Sequence, residues 1–556
     1  MNNLKWLWKI SDGFRPAIAC SALTGTLHVC VSLAFVYVCK HLIDIATGIS
    51  DDRLGSYIGW LASCLVMQLL LSAARSRLTA QTEIRLRNEL RRKLFVHLMD
   101  SRWNGQETYH SGDVLNRLEE DVSTITNALC STVPAVFITV VQFGGALFFL
   151  SRLDVRLAGI LLFIMPVALL FSKGYVRKMR RMTREIRETD SHIQSHLQEN
   201  LQHRILIRTL EYTEKTIDKF ANIQFLLQDR IVRRTNFSIF SRSMIQIGFM
   251  SGYATAFLWG IFGLQDGTVT FGMMAAFLQL VAQIQRPMVD MSRQIPTFIR
   301  VFTSIDRLKE LEALPSEESS PSLRMEGPLG IRVNHLHFSY PGSNRNVLDN
   351  FSHDFKPGSL TAVVGETGAG KSTLIRLMLA LLQPDEGEIA FYNSKETVKS
   401  SPHTRCNLSY IPQGNTLLSG TIRSNLLMGR PQATDQELYN ALYLAAADFV
   451  TALPDGLDTP CGEGGAGLSE GQAQRIAIAR GLLRPGNILL MDEPTSSLDK
   501  ETEETLLKRL SGQVKGKTLI MITHRETIAG LCKEVVRMTK NTPAKQESIS
   551  QGSVHD

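Results

Sequence analysis

The sequence predicts an all-α membrane domain, six transmembrane helices with long cytoplasmic extensions, followed by an α/β P-loop domain. Three observations carry that prediction. Long apolar runs occur only before Leu311. From Leu311 to Pro328 the chain turns polar and rich in Ser, Pro and Glu, the composition of a linker. Beyond it, Gly365, Glu366, Thr367, Gly368, Ala369, Gly370, Lys371 and Ser372 spell G-x-x-x-x-G-K-S, the spacing of a phosphate-binding loop. At 556 residues the chain is long for one domain. The expected division is a membrane domain over 1–310, a linker over 311–328, a nucleotide-binding domain over 329–540 and a polar, disordered tail over 541–556.

The six expected spans are residues 16–43, 57–74, 133–150, 157–171, 244–263 and 271–284. Several hold few or no charges and approach the length that a bilayer demands. The first run is too long for the apolar core of a cleavable signal peptide, so none is expected. Lys and Arg set the orientation. Eight basic residues lie between Arg75 and Arg102 and seven between Lys173 and Arg187. The loops on the other side are poor in them: 48–56 has only Arg53 and 265–270 has none. The excess of positive charge places both termini and the two long loops in the cytoplasm. Trp6, Leu7 and Trp8 beside Lys5, Lys9 and Arg15 suit a short helix at the cytoplasmic interface.

The basic residues cluster beside apolar runs, so the net charge of +7 points to a membrane and not to nucleic acid. The eight cysteines include no C-x-x-C pair and read as reduced thiols, not as a disulfide framework or a metal site.

Residues 75–100 and 175–240 have helical periodicity and no proline, so spans two to five run on as helices past the lipid. Some 30 residues of such helix project roughly 45 Å. Residues 111–122 read as a break at Ser111-Gly112 and a short amphipathic crosspiece, with a counterpart near 204–210. Both are candidate contacts for a cytoplasmic domain.

In the second half, residues 360–364 read as a buried strand and Thr373–Leu382 as a helix starting at the phosphate loop. A strand, a glycine-rich turn and a helix N-terminus converge backbone N–H groups on an anion. Lys371 is placed for the β/γ-phosphates and the Ser372 hydroxyl for Mg²⁺. Tyr340, upstream, is a candidate to stack on a purine. Residues 488–493 form an apolar strand ending in Asp492, a Mg²⁺ ligand, and Glu493, placed to activate water. Strand 518–523 ends at His524, a candidate γ-phosphate contact. Leu468, Ser469, Glu470, Gly471 and Gln472 precede a helix that Ser469 caps, giving a second anion-facing surface. Two copies packed head to tail pair each phosphate loop with the other's serine motif.

With these residues assembled, the sequence resembles the ATP-binding cassette transporters of the exporter-type half-transporter kind, bacterial multidrug and lipid exporters in particular. The resemblance spans nearly the whole chain. It implies a P-loop ATPase and makes Tyr340 the adenine platform, Gln413 the glutamine-loop residue that reaches Mg²⁺ and the attacking water, and Ser469, Gly471 and Gln472 the signature. Asp492 and Glu493 become the magnesium and base pair, residues 497–499, ending at Asp499, the dimer-contact loop, and His524 the switch histidine. Thr373 completes the nucleotide contacts, and residues 462–465 resemble the exporter-specific loop. Residues 111–122 resemble the first coupling helix. Three departures stand out: Glu470 replaces the usual signature glycine, His203 stands where the second cytoplasmic loop often has glycine, and the tail lacks the usual glycine-containing hairpin.

The resemblance implies ATP and Mg²⁺ as cofactors and ATP-driven export of a hydrophobic or amphipathic lipid, drug or peptide by alternating access. It also implies a multi-pass protein of the cell (inner, cytoplasmic) membrane. The expected partner is a second half-transporter subunit, a homodimer before a heterodimer, besides membrane lipid and substrate. An exporter-shaped importer and an ATP-gated channel or regulator stay open as alternatives. His28, Gln68, Gln142, Gln246, Gln279 and Gln283 are polar within spans. Gln279 and Gln283 share a helix face and either line a pathway or join helices.

Overall fold

The computed structural model describes residues 2–103, 111–170, 172–317, 321–343, 345–462, 467–513, 516–524, 530, 532, 534–539 and 545–547. The described residues fall into two compact units, one drawn from 1–95 and 114–312, the other from 96–113 and 313–556.

The first unit is all helix: α1 Asn2–Ile10, α2 Arg15–Ala46, α3 Leu54–Met99, α4 Gly112–Leu153, α5 Val155–Leu170, α6 Ser172–Gln202, α7 Arg204–Thr209, α8 Thr213–Gln265 and α9 Phe271–Glu312. Four apolar stretches among the described residues are long enough to cross a membrane: α2, α3, α4 and the Gln246–Gln265 part of α8. The 16-residue α5 and the Phe271–Gln285 part of α9 are shorter apolar stretches that complete six. Leu150, Leu157, Leu161, Phe277, Leu280 and Ile284 pack the interior of this bundle. Leu23, Leu69, Phe137 and Phe148 face outward, the expected surface against lipid.

Buried polar contacts fix how these helices meet. Asp44, 4% exposed, accepts from the Gly272 N–H at 3.2 Å and pairs with Lys40 at 3.3 Å, capping the start of α9. Asp154 accepts from the N–H groups of Arg156 and Leu157, capping α5, and from Trp259 Nε1 of α8 at 2.7 Å. One of the two amides on the α9 face joins helices: Gln283 Nε2 donates to Ser32 Oγ at 3.2 Å. Of the two roles that the sequence leaves to this pair, the Gln283 contact matches the second.

The extensions are helical, as the periodicity predicts. α3 runs for 46 residues and α8 for 53, about 70 and 80 Å at the standard rise. α7 forms a separate short helix between His203 and Leu210, each of its residues at least partly exposed. Residues 111–122 differ from expectation. They are the first turns of α4 and run without a break into the helix that follows. Two turns of α4, Arg117–Asp121 and Ala128–Thr132, are wound in the wider π form. The first carries Arg117 and Asp121 onto α9. Arg117 Nη1 donates to the Arg307 carbonyl and to Glu310, and Asp121 accepts from Ser304 Oγ at 2.7 Å. These side chains close the bundle, which is why the segment is not a free crosspiece.

The second unit is α/β. Four antiparallel strands, in the order β2-β1-β4-β5, are β1 Gly330–Phe338, β2 Leu348–Phe355, β4 Glu386–Tyr392 and β5 Thr397–Lys399. A six-stranded sheet, in the order β12-β11-β3-β10-β9-β6, holds β3 Leu360–Gly365, β6 Leu408–Ile411, β9 Ile488–Asp492, β10 Thr518–Ile522, β11 Glu534–Met538 and β12 Lys545–Glu547. β7 Gly420–Thr421 and β8 Pro460–Cys461 form a small ribbon. The helices are α10 Lys371–Met378, α11 Ile422–Leu427, α12 Asp435–Leu444, α13 Glu470–Leu483 and α14 Lys500–Gln513. β9 and β10 are buried at every residue, as central parallel strands covered on both faces must be.

Two sequence expectations need correction here. α10 begins two residues before Thr373 and ends before Leu382, because Gly370 caps it at φ 90° and Ala380 turns left-handed at φ 50°. In the tail, Lys545–Glu547 is an edge strand antiparallel to β11, with Val535 opposite Glu547. The edge of β11 offers unpaired backbone groups, and an extended polar segment satisfies them. Residues 541–544 and 548–556 lie outside the described residues, as do 463–465 of the exporter-specific loop.

His353 on β2 is buried against Phe355, and burial lowers its pKa from 6.5. The folded state therefore binds fewer protons than the unfolded chain just below that value, so stability falls as pH drops through it. We expect His353→Phe to flatten the pH dependence of thermal unfolding between about pH 5 and 7. An unchanged slope counts against a buried neutral ring.

Candidate functional site

Four of the parallel strands, β3, β10, β9 and β6, are neighbours in space in an order that the chain does not follow. Their carboxyl ends carry the phosphate loop, His524, Asp492 with Glu493, and Gln413 respectively. Such strand ends are where open α/β sheets bind ligands.

The loop leaves β3 at Gly365, exposes Glu366, Thr367 and Gly368, and buries Ala369 and Gly370. Gly370 sits at φ 90°, and a Cβ there meets the Leu348 side chain at 2.9 Å and the Val347 carbonyl at 3.0 Å. Glycine alone suits both the conformation and the space. Lys371 is 8% exposed and donates from Nζ to the carbonyls of Gly365 at 2.7 Å and Glu366 at 2.9 Å. The ammonium is thereby held inside the curl of the loop, over the α10 N-terminus, where an anion is drawn.

Asp492 is 5% exposed and lies beside Ser372. Burial pushes its carboxyl above the usual carboxylate range, and the neighbouring Glu493 pushes in the same direction. A buried acid beside a hydroxyl and a side-chain amide is a hard oxygen donor set, the kind that Mg²⁺ takes. The residues present thus fit a magnesium nucleotide.

Glu493 lies at φ 47°, a left-handed conformation that a non-glycine residue holds only when its surroundings force it. Its N–H donates to the Ile522 carbonyl at 3.1 Å, and its carbonyl accepts from Gln474 Nε2 at 3.0 Å. The carboxylate accepts from Gln413 Nε2 at 2.8 Å on one oxygen and lies 3.4 Å from His524 Nδ1 on the other. Backbone strain here aims a carboxylate between two polar side chains.

Ser469 caps α13: its hydroxyl accepts from the Gln472 N–H at 3.2 Å while Gln472 Oε1 accepts from the Ser469 N–H at 2.9 Å. Glu470 accepts from Ser497 Oγ at 2.9 Å. A Cβ on Gly471 meets the Ser497 carbonyl at 2.7 Å, so the signature and residues 496–499 are in close contact. Asp499 caps α14: the Thr502 N–H and hydroxyl donate to its carboxylate and hold it below the usual range. Ser469, Gly471, Asp499 and Gln413 open onto one cleft of about 670 Å³. The phosphate loop is not among its lining residues.

Tyr340 shares its hydroxyl with Thr373 Oγ1 and Arg376 Nη1, each at 3.1 Å. Two contributors are not legible from motifs. Gln474 is fully buried and bridges the carbonyl of Glu493 to the N–H of Ser497. An amide among the buried Ala473, Ile476, Ala477 and Ile478 of the helix is the signal that points to it. Arg376 is the second, a charge on the inner face of the phosphate-loop helix.

The family model described as ABC transporter transmembrane region matches residues 18–288, and the one described as ABC transporter matches residues 348–496. An uncharacterized ABC transporter ATP-binding protein of Bacillus subtilis is 30% identical over 448 residues, 79% of this chain and 77% of that one. An ATP-dependent lipid A-core flippase of Pseudomonas fluorescens is 28% identical over 80% of this chain and 74% of its own. A multidrug resistance ABC transporter ATP-binding and permease protein of Lactococcus lactis is 28% identical, covering 75% and 71%. The chain spans 29% and 58% of the lengths of two longer ABC transporter relatives from Dictyostelium discoideum. In fold, it is similar to a bacterial Atm1-family ABC exporter with ATP bound, with a TM-score of 0.79, 22% identity and coverage of 96% and 95%. With a membrane-spanning helical region and a nucleotide-binding α/β domain on one polypeptide, this chain belongs to the ABC transporters.

Proposed function

We propose that the chain is half of an ATP-driven exporter that moves a hydrophobic or amphipathic compound, such as a lipid, drug or peptide, by alternating access. One observation carries the reading: Glu493, strained and held between Gln413 and His524 beside the phosphate loop, lies on the same chain as six apolar helices. The relatives named as a lipid A-core flippase and a multidrug resistance transporter favour this substrate class.

In the proposed mechanism the loop from Gly365 to Ser372 wraps the phosphates of ATP, and Thr373 supports its start of the helix. Lys371 exchanges its two backbone carbonyls for β/γ-phosphate oxygens, and Tyr340 stacks on the adenine. Ser372, Asp492 and Gln413 hold Mg²⁺, which when bound neutralises phosphate charge. Glu493 takes the proton of the attacking water, and His524 donates toward the γ-phosphate. Ser469, Gly471, Gln472 and Asp499 serve the site of a second subunit, a reading supported by the cleft that Ser469, Gly471 and Asp499 line without their own phosphate loop. Every catalytic group is present on this chain, which favours a homodimer. The membrane domain is 1–310, the linker 311–328 and the nucleotide-binding domain 329–540. Both termini are cytoplasmic on the Lys and Arg distribution, in the cytoplasmic membrane.

The test is ATP-dependent movement in inside-out vesicles carrying the full chain, with a panel of fluorescent phospholipids and amphipathic dyes. Accumulation with ATP and Mg²⁺, abolished in Glu493→Gln vesicles, is the expected result. ATP-driven loss of a preloaded compound reverses the direction. Hydrolysis without movement of any panel member overturns the substrate class.

A further inference from the structure

Residues 100–103 follow α3 and belong to the α/β unit. They are anchored there by backbone. Ser101 pairs with Ser316, the Arg102 N–H donates to the Pro315 carbonyl at 2.8 Å, and the Glu317 N–H donates to the Asp100 carbonyl at 2.7 Å. Glu317 in turn takes both guanidinium nitrogens of Arg405 at 2.7 Å, a bidentate pair of well-defined geometry. Arg405 also donates to the Leu379 and Ala380 carbonyls, capping the end of α10. The segment is thus fixed relative to the phosphate-loop helix by a continuous set of bonds.

Trp103 ends this segment. It is half-buried against the core between the two sheets. Its ring lies 4.9 Å from the Arg376 guanidinium carbon, within cation–π range. Arg376, on α10, donates to the Tyr340 hydroxyl, which also meets Thr373. Tyr340 contacts Phe338 edge-on at 5.1 Å. The ring that stacks on adenine is therefore held by its hydroxyl and one edge. The arginine that grips the hydroxyl is itself oriented by an indole from outside the cassette sequence.

We propose that Trp103 is a positioning residue for ATP: it orients Arg376 and thereby holds Tyr340 in its base-stacking pose. The proposal rests on the reading of Tyr340 as the adenine platform. Its consequence is regulatory. The segment that continues α3 sets part of the affinity for ATP, and by linkage ATP binding biases the position of that segment.

The test uses the full chain in lipid nanodiscs, with steady-state ATPase kinetics and binding of a ribose-labelled fluorescent ATP. Trp103→Ala is expected to raise KM and the dissociation constant about three- to fivefold, the span of a partly exposed cation–π contact, with kcat unchanged. Trp103→Phe keeps an aromatic face and restores the parental KM. Arg376→Gln, which keeps the length of the side chain, guards against misfolding of Trp103→Ala and raises KM equally. In a Tyr340→Ala background, Trp103→Ala adds nothing. A Trp103→Ala effect that falls on kcat, is absent, or adds in full to Tyr340→Ala overturns the proposal. Unchanged KM in Tyr340→Ala alone overturns the platform reading instead, so the two failures are told apart.

Discussion

Glu493→Gln is expected to lower steady-state ATP hydrolysis by about 10²–10⁴-fold, the contribution of a positioned general base, with nucleotide binding retained. The substitution keeps the shape and volume of the side chain. It also keeps the backbone bonds that hold this residue left-handed, from its N–H to Ile522 and from Gln474 to its carbonyl. What it removes is the proton acceptor between Gln413 and His524. Phosphate release against ATP concentration, with equilibrium binding of labelled ATP, separates the two effects. Hydrolysis at the parental rate rules out Glu493 as the base. Loss of binding together with hydrolysis assigns the residue to the architecture of the site.

The second large effect is on stability and lies in the helical unit. Asp121→Ala is expected to destabilise the protein by about 2–3 kcal/mol, at and just below the lower end of the roughly 3–5 kcal/mol for breaking a buried pair. Asp121 is 5% exposed; Ser304 Oγ donates to one of its oxygens, and Arg307 lies 3.1 Å from the other. Removing the carboxylate leaves the Ser304 hydroxyl buried without its acceptor and takes one carboxylate contact from Arg307. Arg307 is 30% exposed, and the solvent that reaches it is why the lower end applies. Thermal unfolding in detergent is the measurement. Asp121→Asn keeps a hydrogen-bond acceptor and is expected to cost less than Asp121→Ala. Equal midpoints for the parent and Asp121→Ala remove the pair from the forces that join α4 to α9.

The nucleotide site was legible because its residues announce themselves locally. A phosphate loop needs glycines where the backbone turns left-handed, a lysine in the curl and a hydroxyl at the helix start, and all lie within eight positions from Gly365 to Ser372. Ser469 with Gln472 is a capping box, again a short-range pattern. The long extensions followed from helical periodicity without proline. Less legible were features that depend on a neighbour. The continuity of 111–122 with α4 reflects the burial of Arg117 and Asp121 on α9, nearly two hundred positions away. The edge strand Lys545–Glu547 exists because β11 needs a partner, and its own composition carries no strand signal.

By itself the sequence determined the two-part build, the six apolar runs and the phosphate loop, and put Asp492, Glu493 and His524 at strand ends. These follow from spacing, periodicity and charge along the chain. The tertiary structure decided which of them meet. The order β3-β10-β9-β6 sets Gly365, His524, Glu493 and Gln413 side by side although the chain delivers them in another sequence. It also tied Gln283 to a neighbouring helix and brought Trp103 to Arg376. The physical reason is that hydrogen bonds and packing select partners by distance in space, whereas periodicity specifies only which face of an element is buried.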